Sequence, residues 1–258
     1  MQWALLRRTQ IDAFDRRTPV LLPVAATEQH GEHLPLATDW LIGEEVARRV
    51  DKSFASKLLI MPTLRVGCSE HHMQFPGSLT LTHETFRRVV MDTVDSTLRH
   101  GFKRVVILNS HGGNQAVNSM LSEQLGQQYA ELECGVLNWW TVAAPRLKEL
   151  QEGPVGSVGH ACEFETSIIL RIAPELVDMS SAVDDGVQHH SPSMKADLLQ
   201  RPPAAWYRPF QAMTKSGVFG MPSLASAEKG ERVLEAATTS LHDLLVEFWP
   251  DLPSVVRA

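Results

Sequence analysis

Short, unbroken apolar runs recur along this chain, each followed by a polar loop and then by apolar residues at helical spacing. The first is Val20-Leu21-Leu22-Pro23-Val24-Ala25-Ala26, and residues 58–61, 105–108 and 134–137 repeat the pattern. A run without polar alternation marks a strand covered on both faces, the condition of a parallel sheet. Between the runs, Leu41, Ile42, Val46, Ala47 and Val50 predict a helix over residues 40–50. Phe86, Val89, Val90, Val94 and Leu98 predict another over 83–100, with Thr82 as its N-cap and Gly101 as its stop. Ala116, Val117, Met120, Leu121 and Leu125 predict a third, capped by Asn114. Ser226 opens a last helix whose Val233, Leu234, Ala237, Leu241, Leu244, Leu245 and Phe248 form one stripe. Parallel strands need crossovers of a dozen residues or more, and helices fill that role. The expected fold is therefore α/β: a three-layer sandwich with a mainly parallel central sheet and helices on both faces.

Residues 1–250 read as one such domain and 251–258 as a mobile tail. Between 179 and 225 the periodicity fades among Pro192, Pro202, Pro203, Pro209, Pro222 and His189-His190, which reads as long loops, a lid or subunit contacts. With 24 Lys+Arg against 30 Asp+Glu the net charge is −6, and no basic run occurs, so neither nucleic acid nor a membrane surface is an expected partner. The N-terminal residues lack a signal-peptide pattern, and no apolar stretch approaches membrane-spanning length. Cys68, Cys134 and Cys162 are odd in number and lack CxxC spacing, which suggests reduced thiols and a cytoplasmic setting.

In parallel α/β sheets, ligands bind at the carboxyl ends of the strands. Four polar segments occupy or follow such ends: residues 27–39, 67–77, 109–114 and 159–167. Six of the 11 histidines lie in them. Glu28 and His30, two apart in extended chain, project to the same side. Asp39 at a helix start and His111 at another strand end can close on the same point. Carboxylates and imidazoles without a thiolate suit Zn, Mn or Fe(II). Gly112 and Gly113 allow close backbone approach, and the helix start after them could hold an anionic oxygen. No GxGxxG occurs, and Gly153, Gly156 and Gly159 follow no apolar strand, so a dinucleotide site is rejected. Cys162 and His160, two apart on a helix, do not face each other, which removes a Cys–His dyad. His83, His100 and His242 read as helix-end or surface histidines.

Thr27-Glu28-Gln29-His30-Gly31-x-His33-Leu34-Pro35-Leu36-x-Thr38-Asp39, Glu70-His71-x-x-x-Phe75-Pro76-Gly77, His111-Gly112-Gly113-Asn114 and His160-Ala161-x-x-x-Glu165-Thr166-Ser167 resemble the creatininase (creatinine amidohydrolase) family. The motifs stand in the family's order and span residues 20–170. The resemblance implies a metal-dependent amidohydrolase on an α/β fold, a homo-oligomer that in creatininase itself is a hexamer. By motif position it implies Glu28, His30, Asp39 and His111 as metal ligands, with Asp39 bridging if two ions bind. Glu165 is implied as a further ligand in members with the Gly-Gly turn, and His160 as the catalytic histidine. Creatininase itself has a carboxylate where this chain has Gly113, so a second ion must recruit Glu165. It also closes over its substrate with tryptophans, and none lies between Gly153 and Gly159, which points away from creatinine.

The expected chemistry is cleavage of a C–N bond in a small cyclic amide, formamide or related amide by a metal-activated water. His160 is the expected proton carrier, with Glu163 orienting it or shuttling the proton instead. Ser69, Glu70, His71, Gly112, Gly113 and Asn114 are expected to border the substrate. The expected cofactor is one or two divalent ions per subunit, zinc first, then manganese or iron. Two rival readings stand beside this one: a metal-dependent lyase, ring-opening enzyme or isomerase acting on a sugar-like carbonyl, and a non-catalytic module with a structural metal.

Overall fold

The computed structural model describes residues 1–186 and 191–252. Strands β1 (Val20–Val24), β2 (Leu59–Ile60), β3 (Arg104–Asn109) and β4 (Glu133–Asn138) form one sheet in the order β2-β1-β3-β4, with every neighbouring pair parallel. The crossovers and flanks are helices: α1 (Arg8–Asp12), α2 (Thr38–Ser53), α3 (His83–Arg99), α4 (Gln115–Gln128), α5 (Trp139–Val142), α6 (Ala144–Lys148), α7 (Glu163–Ile172) and α8 (Ala227–Phe248). Alternate residues of each strand serve opposite faces. Leu21, Val106 and Leu108 pack against Val46, Phe164, Ile168 and Leu241 of α2, α7 and α8. Leu22, Val24, Val105 and Ile107 pack against Phe86, Val90, Val117 and Leu121 of α3 and α4. Both faces are therefore helix-covered, which is why the strand runs carry no polar alternation.

Helix signals fall where local chemistry provides them. Thr82 accepts a hydrogen bond from the Thr85 N–H, Ser226 one from that of Lys229, and Gly101 leaves α3 at φ +88°. Asn114 differs from expectation. It precedes α4 without capping it; its Oδ1 accepts from the Cys68 N–H at 3.0 Å, and its Nδ2 faces the Ala25 carbonyl at 3.3 Å. It pins two loops together beneath the sheet mouth. His242 also departs from its surface reading, since it is buried and stacks on Phe54 with ring centres 4.7 Å apart. His83 and His100 are exposed.

Outside the main sheet, β5 (Val158–His160) pairs antiparallel with β6 (Phe219–Gly220). The described residues between Pro174 and Leu224 are mostly single turns joined by side-chain bonds. Asp185 organises one stretch of it: its Oδ2 accepts from the hydroxyls of Thr214 and Ser216 at 2.7 and 2.8 Å and from the N–H groups of Lys215 and Ser216. His189 and His190 lie outside the described residues, as does the tail from residue 253. Asp251, just before it, is held against β3 by Arg104 at 2.9 Å. Among the described residues, no helix is long and apolar enough to cross a membrane.

Candidate metal centre

The loops after β1, β3 and β5 converge at the carboxyl end of the sheet. Glu28 and His30 come from the loop after β1, Asp39 from the first turn of α2, and His111 from the turn after β3. His160 ends β5 and Glu165 opens α7. Between them Ala161 takes φ +51°, a left-handed conformation uncommon for residues other than glycine. Its N–H donates to Glu165 Oε2 at 2.6 Å. That kink turns His160 and Glu165 toward the same space, and all six side chains are buried.

Asp39 is the hub. Its Oδ1 lies 3.2 Å from His30 Nε2, and its Oδ2 lies 3.0 Å from His111 Nδ1. Glu28 Oε1 stands 3.2 Å from that same His111 nitrogen, and Glu165 Oε2 stands 4.0 Å from the His30 one. Three groups among the described residues have donor geometry for an ion: Glu28, Asp39 and His111; His30, His160 and Glu165; and Glu28, His72 and His160. Both carboxylate oxygens of Glu28, Oδ2 of Asp39 and Nε2 of His30 are buried without a hydrogen-bond partner. Buried polar atoms are normally satisfied, so a cluster of orphans aimed at one space fits a cation. The imidazoles are oriented from behind by main-chain oxygens. His30 Nδ1 faces the Glu28 carbonyl at 3.1 Å, His111 Nε2 that of Cys68 at 3.2 Å, and His160 Nε2 that of Gln29 at 2.7 Å.

Opposing charges at close range bend the titration of these groups. Burial alone pushes His30 down, but Asp39, Glu165 and Glu28 together outweigh it and lift the imidazole to about 9. His111 is raised well above its ordinary value by Glu28 and Asp39 against the same burial. Asp39 is held below the usual carboxylate range because His30 and His111 overcome its desolvation. Burial, with Asp39 and Glu28 nearby, lifts Glu165 to about 7. His160 goes the other way, well below its ordinary value, through burial and the neighbouring His30.

A cavity of about 110 Å³ opens on this cluster, lined also by His71, His72, Ser110, Gly112, Gly113, Trp139, Trp140 and Leu198. Gly113 has no room for a side chain: a Cβ there would stand 2.2 Å from the Cys68 carbonyl oxygen and 2.4 Å from His111 Nε2. A carboxylate at that position is sterically barred, and Glu165 reaches in from α7 instead.

Other expected residues fall elsewhere. Ser69 sits behind His111, its Oγ 3.4 Å from Nε2. Glu70 is exposed and borders a neighbouring groove with Trp206 and Tyr207; His71 and Gly113 stand between that groove and the cavity. Glu163 turns away from His160. Its carboxylate accepts from Lys229 Nζ at 2.8 Å and from the Glu152 N–H at 2.9 Å, within a fully buried pair. Cys162 is buried and its thiol is pushed well up by desolvation, which agrees with an inert packing role.

Five contributors escape the sequence reading. His72 stands 3.4 Å from Glu28 Oε1 and packs on His160 with ring centres 4.5 Å apart. Its signal was its adjacency to His71 in a polar segment. Gln29, between two ligand candidates in sequence, sends its side chain behind His72 and His160. Trp139 and Trp140 follow β4 directly, so the carboxyl-end rule alone would have found them. Phe210 covers His72 at 4.2 Å and His160 at 4.8 Å between ring centres, and no local pattern announces it.

Carboxylates and imidazoles with unpartnered inward atoms, gathered at the mouth of a parallel α/β sheet, define a protein with a candidate metal centre of the kind enzymes use. The family model for creatininase, creatinine amidohydrolase, matches residues 4–245. Creatinine amidohydrolase of Pseudomonas putida is 30% identical over 247 residues, covering 90% of each chain. A 3-dehydro-scyllo-inosose hydrolase of Thermotoga maritima is 26% identical over 258 residues, covering 91% of this chain and 79% of its own. A creatininase point mutant of Zn–Zn type superposes with TM-score 0.79 at 28% identity, covering 96% of this chain and 98% of that one. The chain belongs to the creatininase family and is a metal-dependent hydrolase.

Proposed function

We propose that this enzyme hydrolyses a small cyclic amide, formamide or related amide over two divalent ions. Glu28, Asp39 and His111 would hold one, and His30, Asp39 and Glu165 the other. The observation that carries this reading is Asp39, whose two oxygens face different imidazoles at 3.2 and 3.0 Å. Zinc is the first candidate, with manganese or iron next; related creatininase structures include Zn–Zn and Mn forms. Bound there, a divalent ion supplies Lewis acidity that polarises a carbonyl and brings the pKa of water from about 15.7 to roughly 7.

The chain's own residues then supply positioning and proton transfer. His160 keeps its Nε2 proton on the Gln29 carbonyl, which leaves Nδ1 to take a proton from water and pass it to the leaving nitrogen. Burial keeps this imidazole neutral and able to accept. Trp139 and Trp140 wall a cavity of about 110 Å³, which favours a compact, planar reacting group. His71, Gly112 and Gly113 border it. Glu163 serves by position, tying α7 to α8 through Lys229 rather than moving protons. We further propose a cytoplasmic homo-oligomer, a hexamer as in creatininase itself; the three cysteines are unpaired.

The relative named for 3-dehydro-scyllo-inosose favours one second reading, hydrolytic opening of a sugar-like carbonyl ring. A panel of cyclic amides, formamides, short peptides and cyclic ketones separates the two. Release of ammonia, amine or formate supports amide hydrolysis; an opened or rearranged ketone alone defeats it. His160→Ala should lower turnover by roughly 10²–10⁴-fold while the metal content stays unchanged. Metal loss would assign His160 to the coordination shell.

A further inference from the structure

Gln29 does not line the cavity, yet its side chain reaches behind two of the histidines that do. Its orientation is settled by two main-chain neighbours. Oε1 accepts from the Gly31 N–H at 2.9 Å, and Nε2 donates to the Gly217 carbonyl at 3.1 Å. The second hydrogen on Nε2 then points to His72 Nδ1 at 2.9 Å. A carboxamide nitrogen only donates, so His72 Nδ1 must accept, and a neutral His72 carries its proton on Nε2. That Nε2 faces Glu28 Oε1 at 3.4 Å. His160 Nε2 also lies 3.1 Å from the Gln29 nitrogen, but its 2.7 Å approach to the Gln29 main-chain oxygen requires a proton there.

Four buried imidazoles thus divide three to one. His30, His111 and His160 each give an outward proton to a main-chain oxygen and turn a lone pair inward. His72 has a donor behind it and turns a proton inward. We propose that Gln29 is a positioning residue that sets the His72 tautomer, so that His72 turns an N–H toward Glu28 and is barred from ligating an ion. The inference rests on the two-ion reading above. It removes Glu28, His72 and His160 as a third ion site, although their geometry alone would allow one. It also explains the left-handed Gly217, φ +80°, where a Cβ would stand 2.1 Å from Gln29 Oε1.

The test uses the cobalt-substituted enzyme, whose visible spectrum reports the ligand set. Gln29→Met removes the donor at similar size. It should lower kcat by about 10–100-fold, as loss of a partner behind a metal ligand does, with KM unchanged. The spectrum should change as His72 becomes free to turn a lone pair toward the ion. Added to His72→Ala, Gln29→Met should cost nothing further, because residues acting through one another are not additive. Additive losses, a parent-like spectrum, or a KM that rises in step with the loss of kcat would overturn the proposal. Should Gln29→Met fail to fold, Gln29→Glu keeps the acceptor toward Gly31 but not both donations. The same spectral change is expected, and a parent-like spectrum again overturns it. Cobalt content of the parent enzyme reads the other question: one ion per chain defeats the two-ion reading, while the spectral comparison still judges Gln29.

Discussion

The sheet mouth and the segment from Pro174 to Leu224 share one site but are built on different principles. The mouth takes its ligand candidates from residues beside regular elements, and each is aimed by a strand end or a helix start. Among its described residues, the later segment has little regular structure beyond the two residues of β6 and short single turns, and it holds itself together through side chains such as Asp185. Its Leu198 lines the cavity, and the segment's other contributions are indirect: Phe210 covers the histidines, and the Gly217 carbonyl orients Gln29. Candidate coordinating atoms therefore come from the rigid scaffold, while cover and orientation come from the irregular segment.

That division can be broken first at the mouth. Asp39→Ala removes the one residue common to both proposed ion sites. Turnover should fall on the order of 1000-fold, about 4 kcal/mol of transition-state stabilisation, together with metal content read by elemental analysis. Retained metal would show that Asp39 is not the bridge. A smaller effect is expected from the other region. Phe210→Ala removes ring contacts worth about 0.5–1.5 kcal/mol each, so kcat should drop roughly 10-fold at unchanged metal content. Loss of metal from that variant would give the segment a coordinating role it is here denied.

The smallest effect separates the regions by sign. In chelator-treated enzyme, His30 titrates near 9 against an ordinary 6.5, so its stabilisation is complete below 6.5 and lost as pH rises through 9. Glu165, raised from 4.5 to about 7, favours the folded state below 4.5 and loses that advantage by about 7. Burial holds His33, His71, His72 and His160 below 6.5, so they favour the folded state as pH rises to that value. Above it His30 and His111 set the slope, so melting temperature should decline between about pH 7 and 9, and added zinc should flatten the decline by displacing those protons. Asp185 behaves oppositely. Burial would raise it, but the Thr214 and Ser216 hydrogen bonds hold it below its ordinary 3.8, so its loop loses support only as pH falls through that range. A melting temperature that rises between pH 7 and 9 without metal would contradict the cluster's charge balance.

The same division explains how much could be read in advance. Unbroken apolar runs announced β1, β3 and β4, and 3.6-residue spacing announced α2, α3, α4 and α8, because burial on both sheet faces imposes those patterns. The convergence of Glu28, His30, Asp39 and His111 followed from the rule that strand ends carry ligands. Direction of single side chains was not legible. Glu163 and Glu165 are two residues apart at the start of α7, about 200° apart around a helix, so one faces the cavity and the other meets Lys229 from α8. No local signal in α7 reveals that lysine. Asn114 looked like a cap because caps are local, yet its partners are Cys68 and Ala25. Phe210 and Gly217 reach the site only through folding of a segment whose contacts are long-range and without period.

The central claim is that Asp39 bridges two ions. Anomalous diffraction at the zinc absorption edge, on crystals of enzyme loaded with zinc, tests it most directly. The account predicts two peaks per chain, one among Glu28, Asp39 and His111 and one among His30, Asp39 and Glu165. A single peak, or one seated among Glu28, His72 and His160, would contradict it.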